Sequence, residues 1–159
     1  MMIELDMDDG RWDGLRLDIL AQTAIAQTLV HLSILHDHVE ISVLACDDAR
    51  IGELNREFRG KATPTNVLSW PAEDVRPPAL PTADPDGSLP LGDIAIAYET
   101  CEREANAADK PFSAHVTHLI VHGTLHLLGY DHEVEAEAAQ MEAIETEILG
   151  KLGLPDPYL

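Results

Sequence analysis

The amino-acid sequence predicts an α+β fold in which a small mixed four-stranded sheet packs against about five helices, with an apolar helix at the centre. Three observations support this prediction. Short runs of alternating or β-branched apolar residues occur in two separate regions, which indicates strands in both. Longer runs carry apolar residues at helical spacing. The 159 residues contain no internal repeat, so a single domain spanning residues 1–159 is expected.

The first part of the chain alternates between predicted strands and helices. Residues 3–6 alternate apolar and acidic side chains, which is typical of a short strand. Apolar residues at helical spacing predict an amphipathic helix from about residue 15 to about residue 34. The sequence VEISVLAC, residues 39–46, predicts a second strand, because it alternates again and is rich in β-branched residues.

A short amphipathic helix is predicted after this strand. Asp47 is a suitable N-cap, because its carboxylate can accept a hydrogen bond from a free amide of the first turn. The spacing predicts that Ile51, Leu54 and Phe58 are buried. Gly60 is expected to end the helix, since glycine readily adopts the left-handed conformation found at helix C-termini.

Two further predicted strands, residues 65–71 and 91–98, flank a long segment without hydrophobic periodicity. This segment, residues 72–89, is rich in proline and acidic residues, which indicates a surface loop. Such a loop is either a flap over an active site or an inert insertion. We favour the inert insertion.

The last third of the chain is predicted to be helical. A polar helix is expected over residues 99–108, and Pro111 suits the first turn of the next helix. That helix, which continues to residue 128, is apolar on nearly every face and is therefore expected at the centre of the molecule. An acidic helix is expected over residues 133–152, with its acidic side chains in solvent. Its inward residues are expected to be Met141, Ile144, Ile148 and Leu152.

The sequence HGTLHLLGYDH, residues 122–132, carries the strongest functional signal. On a helix, His122 and His126 lie one turn apart, so both imidazoles can bind one ion. Gly129 can end that helix in a left-handed turn, which would return His132 to the same point. Three protein ligands with a fourth position left to water are typical of a catalytic zinc ion. We therefore expect one zinc ion per chain.

The residue beside the first histidine argues against a peptidase. The same histidine spacing occurs in metzincin peptidases, in which a glutamate next to the first histidine is the general base. This chain has Gly123 at that position. Two histidines on an apolar helix often have only a structural role, but the turn and the third histidine favour metal binding. A substrate other than a peptide is expected.

Charge limits how the chain could bind a nucleic acid. The net charge of −19 disfavours nonspecific attraction to polyanions, and no DNA partner is expected. Four of the ten basic residues lie within twelve positions, and nucleic-acid contacts are expected only there and at the metal. These residues are Arg50, Arg56, Arg59 and Lys61.

Cysteine usage and hydropathy predict a cytoplasmic protein. Cys46 and Cys101 lack CxxC spacing and are expected to be reduced core residues. The first residues, MMIELDMDDG, lack the apolar region of a signal peptide. No apolar run is long enough to span a membrane, so no membrane partner is expected.

Three segments of the chain, FRGKATPTNVLSWP, LGDIAI and HLIVHGTLHLLGYDH, resemble the YbeY family of bacterial endoribonucleases. The resemblance spans most of the chain, and the histidine segment is the most specific part of it. It implies that His122, His126 and His132 are zinc ligands and that Arg59 is the active-site arginine. Asn66 and Trp70 occupy positions at which the family has Asp and Phe, so the resemblance carries over no role that needs a negative charge at position 66.

The resemblance also implies a function. A zinc-dependent endoribonuclease of this kind would cut single-stranded RNA during ribosomal RNA maturation, at the 3′ end of 16S rRNA, and in ribosome quality control. Its expected partners are ribosomal RNA, the small ribosomal subunit and a ribosomal protein. Zinc lowers the pKa of bound water to about 7, and the planar fork of Arg59 matches a phosphate group.

No residue is an obvious general base, so either water or a ribose 2′-hydroxyl could attack the phosphate. Two other functions stay open from the sequence. The chain could be a zinc peptidase or amidase that takes its carboxylate from elsewhere, such as Asp131. It could also be a noncatalytic ribosome-assembly protein in which the metal only stabilises the fold.

Overall fold

A computed structural model describes residues 1–159. The strands are β1 (Met2–Met7), β2 (Val39–Cys46), β3 (Val67–Pro71) and β4 (Leu89–Ala97). The α-helices are α1 (Leu17–His31), α2 (Asp48–Arg59), α3 (Tyr98–Ala107), α4 (Phe112–Leu127) and α5 (Glu135–Lys151), and a 3-10 helix spans Gly10–Leu15. None of these helices is both long enough and apolar enough to cross a membrane.

The four strands form one mixed sheet in the order β1-β2-β4-β3. β1 and β4 both run parallel to β2, whereas β3 runs antiparallel to β4 at one edge. Parallel neighbours need a long crossover, which α1 provides between the first two strands. The predicted α+β class, with a small mixed four-stranded sheet, is confirmed.

Helix α4 lies at the centre of the molecule, as its sequence predicts. It packs against α1, α3, α5 and the strands β3 and β4. Because neighbours surround it, residues on several of its faces are buried and few positions remain for polar side chains. Its buried apolar residues are Val116, Leu119, Ile120, Val121, Leu125 and Leu127.

The first helix is shorter than predicted. Asp9 caps a separate 3-10 helix before α1, because its carboxylate accepts a hydrogen bond from the Arg11 amide at 2.9 Å. Trp12 in this segment is fully buried and donates to the Cys46 carbonyl oxygen at 2.9 Å. At the other end, Ser33 has a left-handed φ of 58°, which is incompatible with helix continuation to residue 34.

Helix α2 begins and ends as predicted, but one of its expected core residues is exposed. Asp47 caps its N-terminus and Gly60, with φ 73°, ends it. Ile51 is buried and Leu54 partly buried, whereas Phe58 is 62% exposed, so its predicted burial is wrong. Phe58 packs only edge-on against Trp70, whose strand β3 has no further strand beside it to cover the ring.

Candidate metal centre and active-site cleft

The three predicted ligands, His122, His126 and His132, come together at the end of α4. The Nε2 atoms of His122 and His126 are 3.0 Å apart. Gly129, with φ 93°, turns the chain so that the His132 ring lies 5.0 Å from His126 and 5.6 Å from His122 between centroids. One nitrogen of each histidine lies within 4.8 Å of the others.

This triad fits a zinc ion. Two nitrogens bound to one tetrahedral zinc at 2.0–2.1 Å would lie about 3.3 Å apart, close to the observed His122 to His126 separation. Burial, and then the neighbouring imidazoles of His122 and His132, lower the pKa of His126 to about 4. His126 is therefore neutral near pH 7, which is the form that binds a metal. Three nitrogen donors without a thiolate leave a fourth position for water.

A buried glutamate, Glu145, lies behind the triad and was not predicted. Its carboxylate is fully buried and accepts a hydrogen bond from His122 Nδ1 at 2.5 Å. Tyr158 donates to the other carboxylate oxygen, and His118 Nε2 lies 3.5 Å from the first. Burial raises the pKa of Glu145, but the hydrogen bonds from His118, His122 and Tyr158 outweigh it and lower the pKa to about 2. The carboxylate is therefore ionised.

The spacing of the apolar residues in α5 indicates that Glu145 faces the interior. Glu145 lies four residues after Met141 and three before Ile148, so it shares their inward face. We predicted that the acidic residues of this helix face solvent, and for Glu145 that prediction is wrong. A carboxylate on the apolar face of this acidic helix needs a buried hydrogen-bond or charge partner, because an unpaired buried charge is unfavourable.

The triad lies in a cleft of about 790 Å³ between α2, β3 and the turn after α4. Arg59, the last residue of α2, lines this cleft together with Lys61. Both side chains are exposed, and neither takes part in an ion pair. The cleft therefore contains unpaired positive charge together with the histidine triad, a combination that suits a phosphate ligand.

Gly123 sets the distance between α4 and the sheet. A β-carbon at this position would lie 3.2 Å from both Ile94 Cδ1 and Ser69 Oγ, and Ser69 donates to the Gly123 carbonyl oxygen at 3.3 Å. A side chain at position 123 would therefore require these neighbours to move by a few tenths of an ångström. Packing at the peptidase position thus disfavours the glutamate that would act as general base. Asp131, the alternative carboxylate, accepts a hydrogen bond from the His132 amide at 2.7 Å.

Asn66, which stands where an Asp was expected from the family pattern, also lines the cleft. Its amide donates to Glu104 Oε1 at 2.9 Å, and the same oxygen lies 2.9 Å from His115 Nε2. His115, another histidine of α4, thus pairs with α3 and not with the triad. Its Nδ1 is buried without a partner.

The first part of the loop formed by residues 72–88 contacts the candidate site. A β-carbon on Gly129 would lie 2.1 Å from the Val75 carbonyl oxygen, so the loop packs directly against the turn that carries His132. Asp74 and Arg76 line the cleft beside Val75. Residues 74–76 therefore form part of the wall of the cleft.

Comparison with known proteins gives one consistent result. Residues 6–153 match the family described as Endoribonuclease YbeY. Two relatives named Endoribonuclease YbeY are 55% identical: one from Ruegeria pomeroyi, over 99% of this chain and 98% of that protein, and one from Jannaschia sp., over 99% and 100%. A third, from Dinoroseobacter shibae, is 54% identical over 98% of this chain and 90% of that protein.

The fold has a solved counterpart. The solution structure of TM1509 from Thermotoga maritima matches with a TM-score of 0.58 at 24% identity, over 96% of this chain and 92% of that one. This similarity supports the fold alone. Because the family match spans most of the sequence and the relatives match it over nearly their full length, this chain belongs to the Endoribonuclease YbeY family, a family of RNA-cleaving hydrolases.

Proposed function

We propose that this enzyme is a zinc-dependent endoribonuclease that cuts single-stranded RNA during ribosomal RNA maturation, at the 3′ end of 16S rRNA, and in ribosome quality control. The observation that supports this most is the shared cleft of the Arg59 guanidinium and the histidine triad. We assign His122, His126 and His132 as zinc ligands and Arg59 as the phosphate-binding catalytic residue.

The bound zinc ion would supply Lewis acidity, which activates water and polarises a phosphoryl oxygen. The remaining roles belong to side chains of this chain. The guanidinium of Arg59 would hold two phosphate oxygens at once and offset the charge that builds on them during cleavage. Lys61 adds a second positive charge at the same end of the cleft. Both cations are free for this role, because neither has an acidic partner.

A single strand suits the cleft better than a duplex. The scissile phosphate has to enter a concave site to reach the triad, and a flexible single strand can bend into it. A duplex resists such bending, because its two stacked and paired strands are stiff; duplex DNA has a persistence length of about 150 base pairs. The net charge of −19 also limits binding to the few cations of the cleft. RNA affinity is therefore expected to depend on few phosphate contacts and to fall only moderately with salt.

The attacking group is either water or the ribose 2′-hydroxyl. Hydrolysis by water, which the hydrolase class favours, leaves no cyclic product. Attack by the 2′-hydroxyl would leave a 2′,3′-cyclic phosphate and a 5′-hydroxyl. Analysis of the product ends by mass spectrometry distinguishes the two. A substrate with a single deoxyribose at the cleavage site provides a second test, because it can be cut only by water.

We further propose that the enzyme acts in the cytoplasm on the small ribosomal subunit, guided by a ribosomal protein. Cys46 and Cys101 are buried free thiols, which agrees with a reducing compartment. Mapping the 3′ end of 16S rRNA after depletion of the enzyme tests the substrate. Unprocessed 3′ ends that return to normal with the wild-type protein, and not with an Arg59→Ala variant, are the expected result.

Cleavage assays on single-stranded RNA and on casein, with and without a chelator, separate the candidate functions. We expect RNA cleavage that a chelator abolishes and zinc restores. Casein cleavage would support the peptidase, although Gly123 stands at the position of its usual base. Stable zinc binding without cleavage of either substrate would support the noncatalytic assembly protein. A His126→Ala variant, purified in the same way, excludes a contaminating ribonuclease.

A further inference from the structure

The segment after α5, residues 152–159, returns to the rear of the metal centre. Lys110, in the connection between α3 and α4, donates to the Pro157 carbonyl oxygen at 3.0 Å. The Asp156 carboxylate accepts from the Tyr158 amide at 2.8 Å, and the Thr146 hydroxyl of α5 lies 3.4 Å from the same oxygen. These contacts hold the segment against two elements and fix the position of the Tyr158 ring.

From this position the Tyr158 hydroxyl donates to Glu145 Oε2. The other oxygen of Glu145 lies 2.5 Å from His122 Nδ1. Because Tyr158 donates to Oε2, the oxygen Oε1 is left to accept a hydrogen bond, and the hydrogen of this contact is assigned to Nδ1 of the imidazole. In a neutral imidazole Nε2 then carries the free lone pair. That atom is the one that faces His126 Nε2 at 3.0 Å.

The ligand atoms of His118, His122 and Glu145 also lie within 4.8 Å of one another, but two contacts argue against a metal ion there. A zinc ion bound to both His122 and Glu145 would hold their ligand atoms about 3.3 Å apart. The observed separation of 2.5 Å fits a direct hydrogen bond and leaves no room for an ion. The second carboxylate oxygen is taken by Tyr158. The group therefore supports the triad from behind.

We propose that Tyr158 and Glu145 are positioning residues that fix the Nδ1–H tautomer and the orientation of His122, and thereby raise the affinity of the triad for its metal. Partners behind the ligands of a metal site commonly act in this way, and their loss weakens metal binding by about 10-fold to 100-fold. The effect on affinity rests on the proposed zinc site. The effect on the tautomer concerns the metal-free protein and does not depend on that proposal.

The tautomer can be measured without metal. Long-range ¹H–¹⁵N correlation spectra of the metal-free full-length protein report which imidazole nitrogen of His122 carries hydrogen. We expect a protonated Nδ1 and an unprotonated Nε2 in the wild type. In Tyr158→Phe and Glu145→Gln variants we expect a mixture of tautomers or a shift toward Nε2–H. The Tyr158→Phe variant removes only a hydroxyl group from a residue that is 46% exposed, so it tests the proposal if the Glu145→Gln variant does not fold.

Zinc affinity is the second measurement, made by competition with a chromogenic chelator. We expect the dissociation constant to rise about 10-fold to 100-fold in Glu145→Gln. In Tyr158→Phe it should rise about 2-fold to 10-fold, because the phenol acts only through the carboxylate. Glu142→Gln, an exposed glutamate of α5, and Tyr98→Phe, a tyrosine distant from the triad, are the matched controls and should keep the wild-type affinity.

The two proposals fail in different ways. A wild type that shows the expected tautomer but does not bind zinc would contradict the proposed zinc site and leave the positioning role in place. A wild type whose His122 carries its hydrogen on Nε2 would overturn the positioning role. The positioning role would also be overturned if the Tyr158→Phe variant and a folded Glu145→Gln variant both bound zinc with dissociation constants within about twofold of the wild-type value.

Discussion

The side-chain amide of Asn66 donates a hydrogen bond to the carboxylate of Glu104 at 2.9 Å, immediately before β3 enters the cleft. An aspartate at position 66 could not make this bond and would face a second carboxylate. The neutral amide therefore suits this neighbour, and the departure of the chain from the family pattern has a local physical reason. Any catalytic role of a negative charge at position 66 is absent from this enzyme.

An Asn66→Asp variant should lose stability. The lost donor and the like charges should lower the free energy of unfolding by about 1 kcal/mol at pH 7, a modest amount because both side chains are partly exposed. The repulsive part of the loss should shrink at a salt concentration of about 1 M, which screens like charges. Urea unfolding at low and high salt measures it. Adding Glu104→Gln should restore stability; a double variant as unstable as the single one would rule out charge repulsion.

Arg59→Ala should abolish most RNA cleavage while zinc content and melting temperature stay unchanged. Loss of a donor aimed at the charge of a transition state typically lowers the rate about 100-fold to 1000-fold. Arg59→Lys should restore only part of the rate, since lysine keeps the charge but loses the planar fork. Arg56→Ala, one turn earlier on α2 and outside the cleft, is the control. Full cleavage by Arg59→Ala would remove this residue from the active site.

Elemental analysis should find one zinc ion per chain after purification with metal present, and close to none in His126→Ala. Metal removal should also lower the melting temperature, because a ligand that binds only the folded state stabilises it. His36→Ala, a histidine outside the triad, should keep its zinc. Equal zinc contents in the two variants would show that the metal binds elsewhere.

Gly129→Ala should destabilise the enzyme more than Gly153→Ala. Both glycines have positive φ, at 93° and 80°, which alone destabilises an alanine variant by about 1–2 kcal/mol. Only at Gly129 would the new β-carbon also meet the Val75 carbonyl oxygen. Thermal unfolding of the two variants isolates this contact. Equal losses would mean that residues 74–76 do not press on the turn that carries His132.

Cys46 and Cys101 should not react with a thiol reagent in the folded protein at pH 7. Burial raises the pKa of each thiol to about 12, so almost no thiolate is present. Both should react at once after unfolding in urea. A colorimetric thiol assay gives the two counts, zero in the folded protein and two after unfolding. Fast reaction of either thiol in the folded protein would show that its segment opens readily.

The features that were predicted correctly from the sequence depend on patterns within short segments. The periodicity of α4 and the spacing of His122, His126 and His132 are properties of a short segment, so the helix and the triad could be predicted together. Gly60 and Gly129 adopt the positive φ that their positions after a helix suggested.

The features that were not predicted from the sequence depend on contacts between residues that are distant in the chain. Glu145 is 23 residues from His122, and Asn66 is 38 residues from Glu104, so neither pair follows from spacing on one element. Phe58 has the right helical position for burial, but the edge strand beside it offers too little cover. Such contacts become visible only once the elements are assembled.

The close approach of α4 to the sheet at Gly123 limits how this scaffold could acquire a new activity. A glutamate at position 123 would restore the residue pattern of the peptidase motif, but its β-carbon would lie 3.2 Å from Ile94 and Ser69, so these side chains or the helix would have to shift by a few tenths of an ångström. A shift of the helix would move His122 and His126 with it. Adding a carboxylate at this position should therefore also disturb the surroundings of the triad, so packing opposes the change of this nuclease site into a peptidase site.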